Sequence, residues 1–422
     1  MANRKKMEKE LYSKACVVES IRFVVDEARE ESVNLKEYEK FSCNLATILA
    51  REKEVIAIRL VPYPDNCVVY IAKNDIWCEK DTDYINSIKS YLKSLSKDAP
   101  VRLKDAWKRD DVDSLFEDVI EFCSEKLNTR FEKLKKDITD NQHQQHIKSF
   151  IDYASIKVEN LDEMSGYELS EKCSSYYKKV KNSTAPEKFL RHIKKVGSYY
   201  AALYDITACA CKKKYKDLFS NLQVHKLNPM TLHQPIFSWK NIVERYTRNH
   251  TICEEFKRRC LNDHDTSARL SDIYGNRLDD ESNEQHLCLH AEMNILANII
   301  NEKYKGSTFI AVSKRSCYLC ELYIKFAQMK GYKIFTSGTH KKLYHKWMLP
   351  NIKDTAFKSE SVRYIIKNLD RVINEEIVKH VYEVAWSDSE GEIENSGADP
   401  NSHEEADELL KAKIQRKKQR IY

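Results

Sequence analysis

Apolar side chains in "EYEKFSCNLATILARE" (residues 36–51) fall at Phe41, Leu45, Ile48 and Leu49, the spacing of one helical face, and predict a helix. The pattern then changes to two β-branched runs in "EVIAIRLVPYPDNCVVYIAKN", whose Pro, Asp and Asn are turn residues. A β-hairpin follows, roughly 54–62 paired with 67–73. From about 80 to 262 the periodicity is helical, as in "DSLFEDVIEFCSEKLNTRFEKLKK", whereas 263–285 is polar and turn-rich and reads as a loop. A helix over 290–304 places Met293, Leu296, Ile299 and Ile300 on one face and ends near Gly306. "STFIAVS" (307–313) reads as a buried strand, "CYLCELYIKFAQMKG" as a helix ending at Gly331, and "YKIFTSG" as a strand. That order specifies a layered sheet with at least two parallel strands and covering helices. Residues 339–349 and 361–384 read as helical, and no fifth strand can be placed after 338.

Composition sharpens this picture in two ways. With 422 residues, 8 Gly and 8 Pro against 32% charged side chains, the chain suits two or three domains rich in long, solvated helices, not a many-stranded sandwich. The 13 cysteines, an odd number spread from Cys16 to Cys320, predict reduced thiols in an intracellular compartment, cytoplasmic or nuclear. "MANRKKMEKELYSKA" lacks the apolar run of a signal peptide, and no uncharged apolar stretch approaches bilayer length, so no membrane role is expected.

The net charge of +6 is unevenly distributed. Residues 387–408 hold nine acidic and no Lys or Arg side chains, and 411–420 then add six basic ones. We read 387–422 as an acidic disordered tail ending in a basic segment; the sharper alternative is a nuclear-import or nucleic-acid patch at 411–420.

The candidate chemistry lies in "HLCLHAEMNIL" (286–296) and "VSKRSCYLC" (312–320). A catalytic zinc commonly takes three protein ligands and leaves a fourth position open, and His290, Cys317 and Cys320 are ligands of suitable type. Both cysteines stand at the first turn of a helix, where free N–H groups and the positive dipole end favour thiolates, and His290 begins the preceding helix. Glu292 is then free for general acid–base work beside the open position. Cys288 reads as a buried thiol, and His286, His340 and His345 as loop or exposed positions without a ligand role.

These residues resemble the His-x-Glu and Pro-Cys-x-x-Cys signature of the zinc-dependent nucleobase deaminases. The stretch "SKRSCYLC" is most similar to a deaminase-like family expanded in fungi, in which Ser-Lys-x-Ser-Cys-x-x-Cys replaces the usual Pro-Cys; position 316 is Ser here. The resemblance implies His290, Cys317 and Cys320 as zinc ligands, Glu292 as proton shuttle, and an α/β fold of three α/β/α layers with a mixed sheet. That fold begins with a helix and a hairpin, so residues 1–79 would supply the first part of the domain. Residues 80–280 would be a large all-helical insertion, and 281–386 the metal-site part. In related deaminases an Asn at the end of the second hairpin strand contacts substrate, which points to Asn74; the plainer reading is a capping residue.

The substrate implied is a nucleobase, cytosine or adenine, in a nucleotide or nucleic acid. Residues 174–216 hold eleven Lys or Arg against Glu187 and Asp205, with Tyr176, Tyr177, Tyr199, Tyr200 and Tyr215 interleaved, the composition of a nucleic-acid surface. Amphipathic helices with tyrosines inside and lysines reaching outward would look the same, and we favour that reading. The alternative to an enzyme is a non-catalytic interaction or nucleic-acid-binding protein whose zinc is structural. Glu292 separates the two, because a structural site has no need of that carboxylate. Oligomeric state is not legible.

Overall fold

The computed structural model of the chain describes residues 2–26, 35–64, 66–156, 161, 163–247, 249–275 and 277–393. Its centre is a five-stranded mixed sheet in the order β3 (Leu222–Leu227), β2 (Cys67–Lys73), β1 (Ile56–Pro62), β6 (Thr308–Val312) and β7 (Ile334–Thr336). Strands β1 (Ile56–Pro62) and β2 (Cys67–Lys73) form the antiparallel hairpin. β6 (Thr308–Val312) joins β1 antiparallel through Ala57↔Val312 and Ile58↔Ala311, and β7 (Ile334–Thr336) lies parallel to β6. The strand missing from the sequence reading is β3 (Leu222–Leu227), which pairs parallel with β2 at the opposite edge. Only Leu222 of β3 is buried, so the strand lacks the apolar run that marks its neighbours.

Alternation along the strands makes the three layers. Ala57, Ala72, Ile310 and Val312 point into one core, with helices Ala2–Ile21, Ala291–Asn301, Tyr318–Met329 and the first part of Thr355–Ile393. Ile56, Ile58, Val69, Ile71, Phe309 and Ala311 point into the other, where helix Glu37–Ile48 packs. Each face is dry because every second side chain is apolar on strands covered from both sides. The result is an α/β/α sandwich.

Helices between Glu79 and Ser220 extend the second core without a break: Phe116, Phe150, Phe189 and Ile206 belong to the same cluster as Ile58 and Val69. Residues 80–280 are not wholly helical. Besides β3 they hold β4 (Thr231–Pro235), which pairs antiparallel with β5 (Glu284–Cys288) as a separate ribbon. The stretch 263–285, read as a loop, contains helix His264–Tyr274 and the first two residues of β5. Asp263 caps that helix by accepting from the Thr266 N–H at 2.8 Å, and Leu270, Ile273 and Tyr274 are buried beneath a polar outer face. The polar face outnumbers the apolar one and hid the period. The tyrosines of 174–216 are largely packing groups: Tyr176 and Tyr199 are buried, and Tyr177, Tyr200 and Tyr215 lie against the core.

The segment 339–349 is not a helix either. It is an extended strap whose burial alternates from Lys341 to Trp347, with Leu343, His345 and Trp347 inward and Lys342, Tyr344 and Lys346 outward. The alternation was readable, but a buried His in its middle disguised it. Helix Thr355–Ile393 covers the predicted 361–384 and runs seven residues into the acidic segment; residues 394–422 lie outside the described residues.

A buried ionic knot fixes the base of the hairpin. Lys73, 1% exposed, donates to Glu54 at 3.0 Å and Asp81 at 2.7 Å, and Arg51 reaches the same two carboxylates at 2.8 and 3.0 Å. Burial alone would raise the Asp81 carboxyl, yet the Cys78 N–H and the Lys73 ammonium hold it below the ordinary aspartate value. Removing one partner of a buried ion network leaves a charge uncompensated, so Lys73→Met is expected to lose about 3–5 kcal/mol in chemical denaturation. Because Asp81 is depressed in the fold, its contribution is present above about pH 4 and lost as pH falls below it. Asp81→Asn should therefore flatten the acid limb of stability against pH; an unchanged limb would count against this role.

Candidate metal centre

β6 delivers the chain to the end of the sheet at which two helices begin. His290 is the residue immediately before helix Ala291–Asn301, and Cys317 is the residue immediately before helix Tyr318–Met329, with extended backbones at both. The Cys317 sulfur caps its own helix by accepting the Cys320 N–H at 3.4 Å. Cys320 follows one turn later, so both sulfurs face the free N–H groups of one helix start.

Nδ1 of His290 lies 3.3 Å from the Cys320 sulfur and 3.6 Å from the Cys317 sulfur. All three donor atoms fall within 4.8 Å of one another, the only such group that could hold a metal ion among the described residues. Both cysteines are buried and His290 is half-buried. The donor set fits a borderline-soft ion: one imidazole nitrogen and two sulfurs, with no fourth His, Cys, Asp or Glu donor in the group among the described residues. The trio is also electrostatically prepared. Burial raises Cys317, but the Cys320 hydrogen bond and the His290 ring outweigh it and hold the thiol low. Burial would lower His290, but Cys317 and then Glu292 hold it above the ordinary imidazole value. Burial, the Cys317 sulfur and Glu292 together push Cys320 up.

Glu292 enters all three balances because its carboxylate, 3% exposed, sits in this cluster. Cys288 is outside the trio; burial raises its thiol, with Lys346 and Cys317 nearby. Asn74 is half-buried at the same end of the sheet. Its side-chain oxygen accepts the Val55 N–H at 2.7 Å, and the next residue, Ile56, exchanges hydrogen bonds with Ser313 at 2.9 and 3.0 Å, four residues before Cys317.

The strap supplies groups that the sequence reading missed. Trp347, fully buried, donates its indole N–H to the Cys320 sulfur at 3.2 Å. Tyr344 lies 6.3 Å from the His290 ring and 5.7 Å from His340, and Phe23 meets its edge at 5.8 Å. Main-chain bonds hold the strap down: Tyr318 N–H to Lys342, Leu343 N–H to Phe23, and Cys288 and Met348 with the strap around Trp347. His345 is buried, not exposed as expected, with Nδ1 2.8 Å from the Glu19 carboxylate on the N-terminal helix. His286 lies exposed on β5 beside His233. Ser316, where the resembling signature has Pro, buries a hydroxyl with no hydrogen-bond partner among the described residues.

Residues 289–351 match the family model described as OTT_1508_deam-like deaminase. The centre is deaminase-like. The matched span runs from just before His290 through both cysteines and the whole strap to Asn351, so it contains every group just described except those contributed from the N-terminal region, Cys288 and the β4–β5 ribbon. No curated protein and no solved structure matches the chain.

A hydrogen bond to a metal-bound sulfur orients the ligand and tunes its charge. Trp347→Phe is therefore expected to weaken metal binding by roughly tenfold or more. Competition against a chromophoric chelator measures this, and an unaltered affinity in a folded variant would remove the indole from the centre.

Proposed function

We propose that the chain is a zinc-dependent hydrolytic deaminase acting on a nucleobase, cytosine or adenine, with His290, Cys317 and Cys320 as ligands and Glu292 as the proton carrier. The observation that carries this reading is the buried Glu292 carboxylate inside a three-donor cluster. A structural site has no use for such a group and ordinarily closes its shell with a fourth protein ligand.

Zinc held by the trio would supply Lewis acidity and bring a water's pKa toward neutrality. The chain's own residues do the rest. Glu292 takes a proton from the attacking water at its carboxylate oxygen and returns it to the departing amine. Water adds at C4 of cytosine or C6 of adenine, the C–N bond breaks, ammonia leaves and a carbonyl remains. Trp347 and the Cys320 N–H hold the sulfurs in place, and Tyr344, Phe23 and His340 form aromatic walls against which a planar base can lie.

Asn74 is the proposed substrate contact on the hairpin side. Its oxygen is engaged by Val55, which leaves the amide N–H groups to donate. The domain is proposed to be assembled from residues 1–79 and 281–386 around the insertion 80–280. The Ser-Lys-x-Ser-Cys-x-x-Cys wording favours the fungal-expanded branch of deaminase-like proteins. Thirteen cysteines, none of them disulfide-bonded in the structure, suit a reducing intracellular compartment.

Metal analysis should find close to one zinc per chain in the wild type and little in Cys317→Ser. Glu292→Ala should keep its zinc and lose deamination by about 10²–10⁴-fold, the usual contribution of a positioned acid–base. Ammonia release and base conversion across cytosine and adenine nucleosides, nucleotides and oligonucleotides are the readouts. Zinc without any Glu292-dependent turnover would favour the non-catalytic alternative, an interaction protein with a structural metal.

A further inference from the structure

Helix Ser124–Asp140 carries Lys126, Arg130 and Lys133 at positions i, i+4 and i+7, so the three share one face. Helix Glu187–Val196 carries Arg191 and Lys195 one turn apart. The Arg130 guanidinium ties the two helices together: it donates to the Lys195 carbonyl and the Ser198 hydroxyl, both at 3.0 Å, and lies 5.0 Å from the Tyr199 ring. Lys126 is buried and donates to the Ala50 carbonyl, whereas Lys133, Arg191 and Lys195 are exposed. Asp137 ends the stripe, pairing with Lys188 at 3.4 Å and His192 at 3.3 Å.

The metal-bearing half brings two further cations to the same place. Lys314 is exposed in the loop between β6 and Cys317. Lys342 projects from the strap over the Phe23 ring at 5.2 Å, and Phe23 meets Tyr344, the aromatic neighbour of His290. The charges feel one another across the two halves. Burial lowers the Lys195 ammonium, and Arg130, Arg191, Lys133 and Lys342 lower it further. Burial, Arg130 and Lys314 bring Lys126 down to about 8, and Glu52 is the acid set against Lys126 and Lys314.

Like charges held side by side are unfavourable until an anion neutralises them, and a nucleic-acid backbone does so while releasing its own counterions. The stripe on the first helix alone runs on the order of 10 Å, longer than one phosphate can cover. The cysteines and Glu292 are buried, so a base paired and stacked in a duplex cannot reach them without being extruded. The geometry points to a single-stranded nucleic acid as the ligand of this seam, its phosphates along Arg130, Lys133, Arg191, Lys195, Lys314 and Lys342 and one base at the His290 centre. This inference rests on the proposed deaminase reading and names the substrate class of the same site. It also moves the nucleic-acid contact from the lysine-and-tyrosine composition of 174–216 to Arg191 and Lys195, together with cations from three other segments.

The test is fluorescence anisotropy of the full chain with labelled single-stranded 20-mers of DNA and of RNA, titrated between 50 and 200 mM salt. Binding of either, weakening as salt rises, is expected. Lys133→Glu with Arg191→Glu and Lys195→Glu should weaken binding at least tenfold, and the neutral Gln versions should lower the salt slope by about 2, since each phosphate contact on a single strand contributes about 0.7. Melting temperature checks folding, and Lys93→Glu with Lys97→Glu, exposed on helix Glu79–Lys97, should bind as the wild type does. No oligonucleotide binding by the wild type, equal binding by the seam variants, or binding only to vesicles of anionic lipid would overturn the inference. Seam-dependent binding without any detectable deamination would leave it standing and sink the proposed reaction. Deamination of free nucleosides with no oligonucleotide binding would do the reverse.

Discussion

Two helix starts meeting at one end of a sheet form the constraint on which the rest of the molecule depends. His290 and Cys317 each occupy the residue before a helix, and Cys320 follows by one turn. Free N–H groups and aligned peptide dipoles at those ends favour the thiolate that burial opposes. Neither helix could hold this place alone. Helix Ala291–Asn301 is anchored against the sheet by its buried apolar residues, and helix Tyr318–Met329 is the crossover that makes β6 and β7 parallel. The hairpin is in turn held square by the Lys73, Glu54, Asp81 and Arg51 knot at its base.

The strap completes what the helices begin. Its inward residues do three separate jobs: Leu343 fills the core, His345 engages Glu19 of the N-terminal helix, and Trp347 hydrogen-bonds the Cys320 sulfur. Of its outward residues, Lys342 lies over the Phe23 ring and Tyr344 lies beside His290. One segment therefore links the first helix to the His290, Cys317 and Cys320 cluster, which explains why a match confined to 289–351 still contains most of the centre.

Much of this was legible in the chain, and the failures share a cause. The helix at 37–48, the hairpin, β6, β7 and helices Ala291–Asn301 and Tyr318–Met329 follow directly from apolar period, because their buried positions are occupied mainly by Ile, Val, Leu, Phe and Ala. Where polar side chains take buried positions or a thin apolar edge suffices, the period fades. β3 buries little of its own, helix His264–Tyr274 shows mostly its wet face, and the strap places a His between Leu and Trp. That His290, Cys317 and Cys320 lie together could be anticipated because ligand chemistry restricts residue type and spacing together. Trp347 and Tyr344 could not, since an aromatic beside a centre has the same composition as an aromatic in a core.

The pairing of β1 with β6 has a consequence for how the chain is made. Ala57 and Val312 lie more than two hundred residues apart in sequence, so the hairpin leaves the ribosome long before its partner strand exists. Until Thr308–Val312 is synthesised, one edge of β1 has unpaired N–H and carbonyl groups, the kind of edge that recruits other chains. The helices between Glu79 and Ser220 share the core beneath the hairpin, and β3 closes the other edge of β2, so a half-made chain can already protect one face and one side. This late-closing edge of β1 is the one beside which His290, Cys317 and Cys320 come together.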